Sequence, residues 1–589
     1  MTGAVCRVLP DVAALDRLLD YWAPPDAPVP VGTIVRVPLH GRRVRGWVLA
    51  HADEPDVDPS QVRPVRAVVS AGPPAAVVAL CEWAAWRWAG PRATFLRAAS
   101  APNIVPVGEV ARDVAVYPRV EGPLSLPDTA GRVIVWPPAR PRDELVASLL
   151  APEGSTVVVV PDPAERARLA VAAAASGRVV VEVAGDAPAA TRTASWASAR
   201  HGACVVVGGR VAALAPVPDL AAVVVLDDAD DALVEERAPT WHARDLVLER
   251  ARRADAVATV VTPAPTVEAL AALGDPVTLR PMTARAGWPR LELVDRRQEP
   301  PGLGLLGERL ADALRQTLAA ERRAVCVLNR RGRARLLVCQ QCGTPARCEQ
   351  CGAAVAETEG GLACPRGDGR RAAVCLGCGA ARWRVARPGV RRLRDDLAAL
   401  LPRVGVSVAE AGREADPRAA VVVGTEAALH GRPDDVGLVA FLDFDQELLA
   451  PRFRAEAQAL WLLVRAARLL GDRHGGGRLL VQTRVPDHPV LLAAERGDPV
   501  PFVRVDATRR DGVGLPPYGG LAVVSGDEDA VDAAVRVLAP PLEVLGPVAG
   551  RALVRAPSTR EIAVGLAAAD LAPARAVGRV RVDVDPQRE

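Results

Sequence analysis

Seven cysteines lie between Cys339 and Cys378 of a 589-residue chain that has only four others. They read Cys339-x2-Cys342-x5-Cys348-x2-Cys351-x12-Cys364-x10-Cys375-x2-Cys378. A C-x-x-C pair closed by a tight turn aims two thiolates at one metal, and a later pair completes the tetrahedron. The spacing predicts a zinc-binding module over residues 339–378. A disulfide framework is the competing use of such cysteines. It belongs mainly to small secreted domains, and the opening MTGAVCRVLPDVAALD lacks a basic stretch followed by an apolar one. Cys6, Cys81, Cys204 and Cys326 read as buried apolar side chains.

A second chemical fact is an absence. All 73 basic residues are arginine, and the chain has no lysine. A phosphate-binding loop of the form G-x-x-x-x-G-K-[ST] uses lysine as a compact charge on the β- and γ-phosphates, so this chain cannot build one. A net charge of +3 neither demands nor excludes nucleic acid. Any such binding falls to local arginine clusters. Arg36, Arg42, Arg43 and Arg45 form one, on a valine-alternating hairpin over Val29–Ala50 that breaks at Gly32 and Gly41. A merely solvated charged face is an equal reading of that cluster.

These residues need elements to hold them. The length implies several domains with full cores, and no apolar run reaches the ~18 residues that span a membrane. A cytoplasmic location is expected. Apolar runs at 133–136, 156–161, 203–208 and 221–228 alternate with Ala-rich helical stretches, and a second set follows at 324–332, 404–411, 419–431, 438–445 and 478–485. Continuous valine runs predict strands buried on both faces, hence parallel sheets covered by helices. The cysteine module interrupts the second set after its first strand. Residues from about 500 read as a small α+β unit, and 283–303 as a linker.

Two α/β lobes, with a cysteine insertion after a strand ending in NRRG (329–332), resemble the primosomal protein N′ (PriA) family of bacterial replication-restart helicases. The resemblance runs nearly end to end. VGTIVRVPLHGRRVRGWV is similar to that family's domain for the 3′ end of a nascent strand. GGRVAALAP, AAVVVLDDADDALVEERAPTWHARD, VVTPAPTVEA, VVVGTEAALHG, VQTRVPDHPVL and LPPYGGLA follow in the family's order. The fold implied is two RecA-like helicase lobes, a β-rich N-terminal domain and a small α+β C-terminal domain. The boundaries expected are 1–105 for the N-terminal domain, 106–130 for a linker without the family's winged helix, and 131–290 for the first lobe. The second lobe takes 304–338 and 379–499, around the zinc module, and the C-terminal domain 500–589.

The departures from the family matter as much. Where its nucleotide loop belongs, the chain reads VIVWPPARPRDELVASLL, and Pro137, Pro138 and Pro141 remove backbone donors. Its acidic box is Asp227, Asp228, Ala229, Asp230: Asp227 could hold Mg²⁺, while Asp228 is a shortened glutamate. Its last motif is VRAARLLG, keeping Arg468 but with Val464 and Gly471 where glutamine and arginine belong. The expectation is a helicase core whose catalysis is lost, leaving Asp227, Asp228 and Arg468 as remnants. Carried over from the family, Cys339, Cys342, Cys375 and Cys378 make one complete zinc site. Cys348, Cys351 and Cys364 make a second site whose fourth position is Gly367, with Asp368 the nearby oxygen ligand. Arg382, Trp383 and Arg384 either reach DNA or, for Trp383, pack within the module. His242 and Arg244 are read as structural.

The function expected is a replication-restart factor that recognises branched forks and helps assemble the primosome without helicase activity. The partners implied are forked DNA, primosome and helicase-loading proteins, and single-stranded DNA-binding protein, with no membrane. Two alternatives stand beside it. One is an active ATP-dependent 3′-to-5′ helicase in which Arg140 or Arg142 replaces the lysine. The other is a protein scaffold that has lost DNA binding.

Overall fold

A computed structural model describes residues 4–587 except 13–14, 25–28, 109–130, 298–303, 329–336, 351, 359, 365–368, 386–389, 411, 413–414 and 432–434. Of the segment expected to be a linker at 106–130, residues 109–130 lie outside the described residues, as do Cys351, Gly367, Asp368 and the NRRG run.

The first sheet has six strands, with Ile34–Leu39 and Arg42–Ala52 forming its central hairpin. His40 and Gly41 (φ 47° and 75°) make the two-residue turn, whose twist matches that of the flanking strands. Helices Ala75–Arg87 and Arg92–Ala99 cover one face, burying Leu80, Trp88 and Phe95 against Leu9, Ile34 and Trp47.

The first valine-rich set forms a seven-stranded parallel sheet in the order Val277–Thr278, Gly131–Val135, Val257–Thr262, Leu220–Leu226, Ser155–Val159, Val205–Gly208, Val180–Val183. The run Val157, Val158, Val159 is inaccessible on both sides, which is why it carries no polar alternation. The second set forms a six-stranded parallel sheet: Arg290–Asp295, Arg478–Thr483, Val436–Phe441, Arg323–Val327, Val421–Gly424, Val406–Ala409. Arg290–Asp295, within the stretch that reads as a linker, is an edge strand of this sheet. Its flanking prolines and charges hide a strand that needs apolar contacts on only one side.

The cysteine module leaves the second lobe after Arg323–Val327. It is closed by antiparallel pairing of Leu337–Cys339 with Trp383–Val385, and helix Val390–Leu400 then resumes the lobe. The last unit is a four-stranded antiparallel sheet in the order Glu543–Leu545, Arg551–Ala556, Gly520–Gly526, Val580–Val584, backed by helices Glu528–Arg536 and Thr559–Ala568. The two lobes touch through apolar side chains: Ala264 and Val267 of the first join the core of the second around Leu460, Trp461 and Phe502. No helix among the described residues is long and apolar enough to cross a membrane.

Candidate functional site

In an open parallel sheet the ligand crevice lies at the carboxyl ends of the strands. In the first lobe that crevice is lined by the turn after Gly131–Val135 and the turn after Leu220–Leu226, with Val257–Thr262 between them. Arg142 ends the first turn, immediately before helix Asp143–Ser148, where a phosphate loop would place its lysine. Asp227 begins the second turn in a left-handed conformation (φ 56°) that turns its carboxylate into the crevice.

The two residues meet. Arg142 Nη1 donates to Asp227 Oδ1 and Nη2 to Oδ2, both at 2.8 Å, a bidentate fork. Arg142 Nε also donates to Glu165 Oε1 at 2.8 Å, and Nη2 pairs with the other oxygen of Glu165. From the second lobe, Arg468 Nη2 donates to Asp227 Oδ1 at 2.6 Å, its guanidinium lying 5.3 Å from the ring centroid of Trp461. Arg142 is 4 % exposed, Glu165 2 % and Asp227 0 %. Burial works against the Asp227 carboxylate, but Arg142 and Arg468 outweigh it and hold the group well below the usual carboxylate range. Both oxygens of Asp227, where the sequence leaves a Mg²⁺ open, accept hydrogen bonds from guanidinium groups. Arg140 takes no part. It lies 4.6 Å from the ring centroid of Trp136, whose indole N–H donates to the Arg140 carbonyl at 3.2 Å.

Asp228 points elsewhere. Thr266 Oγ1 donates to its Oδ2 at 2.5 Å and Arg244 Nη1 lies 3.7 Å away, while Oδ1 is buried without a partner. Burial pushes its pKa up to about 6 despite Arg244 and Thr266. His242 caps helix Ala243–Ala254 by accepting from the Arg244 amide at 3.1 Å, and burial takes its pKa down to about 3. Arg244 forks to Asp245 at 2.7 Å and Thr266 at 2.9 Å. Val464 is buried in helix Ala455–Leu470, and Gly471 caps that helix at φ 78°. Glu165, Glu268 and Arg454 are participants the sequence did not reveal. Glu268 pairs with Arg454 and, at 3.2 Å, with Arg510.

The cysteine module builds its centre from repeated backbone turns. The amides of Gly343, Gly352 and Gly379 donate to the carbonyls of Cys339, Cys348 and Cys375 at 3.0, 3.0 and 2.9 Å. Each glycine has φ between 71° and 75°, the left-handed conformation such a turn requires. Each leading cysteine donates its own amide five residues ahead, to Thr344, Ala353 and Ala380. Cys364 does the same, to Gly369 at 3.0 Å, so this bond of the turn is kept where the second cysteine is absent.

The sulfurs of Cys339, Cys342, Cys375 and Cys378 lie within 4.8 Å of one another, with Cys339–Cys378 at 3.6 Å and Cys342–Cys375 at 3.5 Å. A tetrahedral ion with Zn–S bonds of about 2.3 Å has sulfur–sulfur edges of about 3.8 Å, so the four thiols fit a metal such as zinc. Burial raises the Cys342 thiol, but hydrogen bonds from Thr344 outweigh it and bring the pKa down to about 6. Cys378 moves the opposite way, to about 12: the Ala380 amide lowers it, and the hydrogen bonds it gives neighbouring sulfurs outweigh that. Crowded sulfurs share few charges until a cation joins them. Cys348 and Cys364 are buried together with Leu337, Val355 and Leu362. Trp383 donates its indole N–H to the Ala373 carbonyl at 2.9 Å and packs inside the module.

On the first sheet, Arg36 stands directly across from Arg45, and Arg43 lies two residues along on the same face; Arg42 is at the hairpin end. All four are exposed, and among the described residues no ion pair joins any of them to a carboxylate. Like charges directly opposed on neighbouring strands repel, so this pairing is unfavourable by itself. Cys6, Cys81, Cys204 and Cys326 are buried, with burial raising the thiols of Cys6 and Cys204 to about 11 and of Cys326 to about 12.

Two parallel α/β lobes facing each other across this crevice, the second carrying an inserted cysteine module, define a helicase-type core. Family models match at both ends of the chain: the 3′ DNA-binding domain of PriA over residues 7–101 and the primosomal protein N C-terminal domain over 512–587. The probable replication restart protein PriA of Mycobacterium leprae is 30% identical over 598 residues, covering 91% of this chain and 90% of the relative. That of Mycobacterium tuberculosis is 30% identical over 595 residues with the same coverage. The replication restart protein PriA of Bacillus subtilis is 25% identical over 357 residues, 56% of this chain and 44% of the relative. The chain belongs to the PriA family of replication restart proteins. A RecG structure bound to a three-way DNA junction aligns at a TM-score of only 0.36 and 12% identity, over 64% of this chain and 43% of that one.

Proposed function

We propose that this chain is a replication-restart factor that recognises branched DNA at stalled forks and recruits primosome and helicase-loading proteins without ATP-driven unwinding. One observation carries the reading: the acidic residue that would hold Mg²⁺ is clasped by Arg142 and Arg468 within the chain. Binding Mg–ATP there would require stripping two guanidiniums from a carboxylate that is fully buried. It would also leave Arg142, itself buried, facing Glu165 alone. Breaking one buried pair of this kind costs about 3–5 kcal/mol, which the ligand would have to supply before gaining any affinity. Arginine, a planar fork already engaged, does not substitute for lysine as a free point charge.

DNA recognition falls to the first domain. Arg36, Arg43 and Arg45 offer an unneutralised face to phosphate, and Arg42 extends it at the hairpin tip. Cys339, Cys342, Cys375 and Cys378 hold a structural zinc, because a closed Cys₄ set leaves no open coordination position for catalysis. Cys348, Cys351 and Cys364 offer a second ion only three thiolates, so that ion is weakly held or absent. The test is ATP hydrolysis by zinc-loaded protein, with and without forked DNA bearing a free 3′ end, alongside fork and duplex affinities at matched salt. The reading requires no stimulated turnover and tighter binding to the fork. Robust DNA-stimulated turnover would instead establish a lysine-free nucleotide site and the active-helicase alternative.

A further inference from the structure

Two domains that close on a ligand usually do so because the ligand neutralises groups on both faces of the cleft. Here the opposing faces neutralise each other. Arg468 reaches from the second lobe to Asp227 in the first, and Arg454 reaches from the second lobe to Glu268 in the first. Arg510, on helix Val500–Gly512, adds a second cation to Glu268 while bonding Asp506 at 2.6 Å. Arg454 is 7 % exposed, Arg510 1 % and Asp227 0 %. Ala264 and Val267, between these two ion clusters in the first lobe, are sealed into the second lobe's apolar core. Asp227, Arg454 and Arg510 are thus buried in the seam, while Arg468 and Glu268 keep a small exposed edge.

A third clasp comes from the chain's last segment. Thr240 of the first lobe donates to Asp583, and Gln458 of the second lobe donates to the Gln587 carbonyl at 2.8 Å. The same few residues thus hold both lobes.

We propose that the two lobes form one latched body, closed by Arg468–Asp227 and Arg454–Glu268 rather than by nucleotide, so that DNA meets a surface already in its final arrangement. The inference rests on the reading that the chain works without ATP turnover, and it adds a mechanical claim that can fail separately. With no closure step, binding would incur no cost of domain rearrangement, and nucleotide would not change DNA affinity.

Hydrogen exchange on full-length, zinc-loaded protein tests this, followed by mass spectrometry at the two faces of the seam, 226–230 and 262–270 on one side and 452–470 on the other. The wild type is expected to show identical exchange with and without Mg–ATP. The double variant Arg454→Ala, Arg468→Ala is expected to exchange at least about tenfold faster at both faces, with zinc content and the exchange of strands Ser155–Val159 and Val436–Phe441 unchanged. The milder Arg468→Gln covers the case in which the double variant does not fold; it should raise exchange at 226–230 and at the C-terminal turn of helix Ala455–Leu470. Seam exchange that slows on adding Mg–ATP to the wild type would overturn the latch. So would a folded double variant whose seam exchanges like the wild type. ATP turnover without any nucleotide effect on the seam would sink the non-catalytic reading and leave the latch standing. A seam that stays closed in the variants, with no turnover, would do the reverse.

Discussion

Replacing Arg142 by methionine keeps most of the stem and removes the one cation shared by Asp227 and Glu165. Both carboxylates are nearly inaccessible, and Arg142 makes two bonds of 2.8 Å to the first and one of 2.8 Å to the second. After the change Asp227 keeps Arg468, while Glu165 keeps Arg168 at 3.3 Å, a side chain that is itself about half exposed. Removing one partner of a buried ionic cluster costs about 3–5 kcal/mol. At 1.4 kcal/mol per tenfold, that is a rise in exchange of about a hundredfold or more for the protected amides of Gly131–Val135 and Leu220–Leu226. Local exchange is the right assay, because a chain of several domains has no single unfolding free energy. Arg142→Met combined with Glu165→Gln removes the cation together with the carboxylate that depends on it, leaves Asp227 paired with Arg468, and should recover much of the loss, with a non-additivity of about 1–3 kcal/mol. Wild-type exchange in the single variant would refute the assignment of Arg142 to the crevice. A double variant as labile as the single would mean that the pairing with Glu165 is not what holds the two strands.

Asp228 predicts a pH signature. Its folded-state pKa of about 6 lies above the unfolded value of 3.8, so the folded state binds the extra proton and its stability declines as pH rises between them. Relative to Asp228→Asn, wild-type stability should fall by up to ~1.4 kcal/mol per pH unit between about pH 4 and 6 and level off above; a flat difference would contradict the burial. A mild chelator should strip the weak second zinc well before the first, and Cys375→Ser should release the tight one; two equally tight ions by metal analysis would exclude the three-thiolate site. Charge reversal at Arg36, Arg43 and Arg45 should weaken fork binding and flatten the dependence of log affinity on log salt by up to ~3, whereas an unchanged slope would place the phosphate contacts elsewhere.

The parts of this architecture that show in the sequence are those whose physics is local. A C-x-x-C pair announces its turn within four residues, and a run such as Val157–Val160 announces a strand covered on both faces. The strand Val180–Val183 has only the short valine run 179–181 before Glu182, and the edge strand Arg290–Asp295 alternates over only four residues, so each is too short to stand out until a neighbour pairs with it. The crevice could be described in advance by what it lacks, since Pro137, Pro138, Pro141 and the missing lysine are visible in the chain. What fills it could not. Arg142 lies 85 residues from Asp227, and Arg468 241 residues from it. Glu165 stands on an Ala-rich helix with nothing around it to mark a buried acid. In a chain whose every cation is arginine, no composition cue separates the two that enter the crevice from those on the surface.

The placement of the last few residues has a consequence for how the molecule is made. Arg87, in the first domain, is bonded to Asp585, 498 positions later, and the apolar interior that holds Leu9, Trp47 and Trp88 is continuous with Val554, Val582 and Val584. At about 5–20 residues per second, synthesis of the intervening chain takes roughly 25–100 s. Through that interval the first domain has one flank without its final neighbour. That flank is supplied only when residues 580–585 have been made. A chain lacking residues 580–587 would expose that interior and would also lose the bonds from Thr240 and Gln458 that tie this segment to the two lobes.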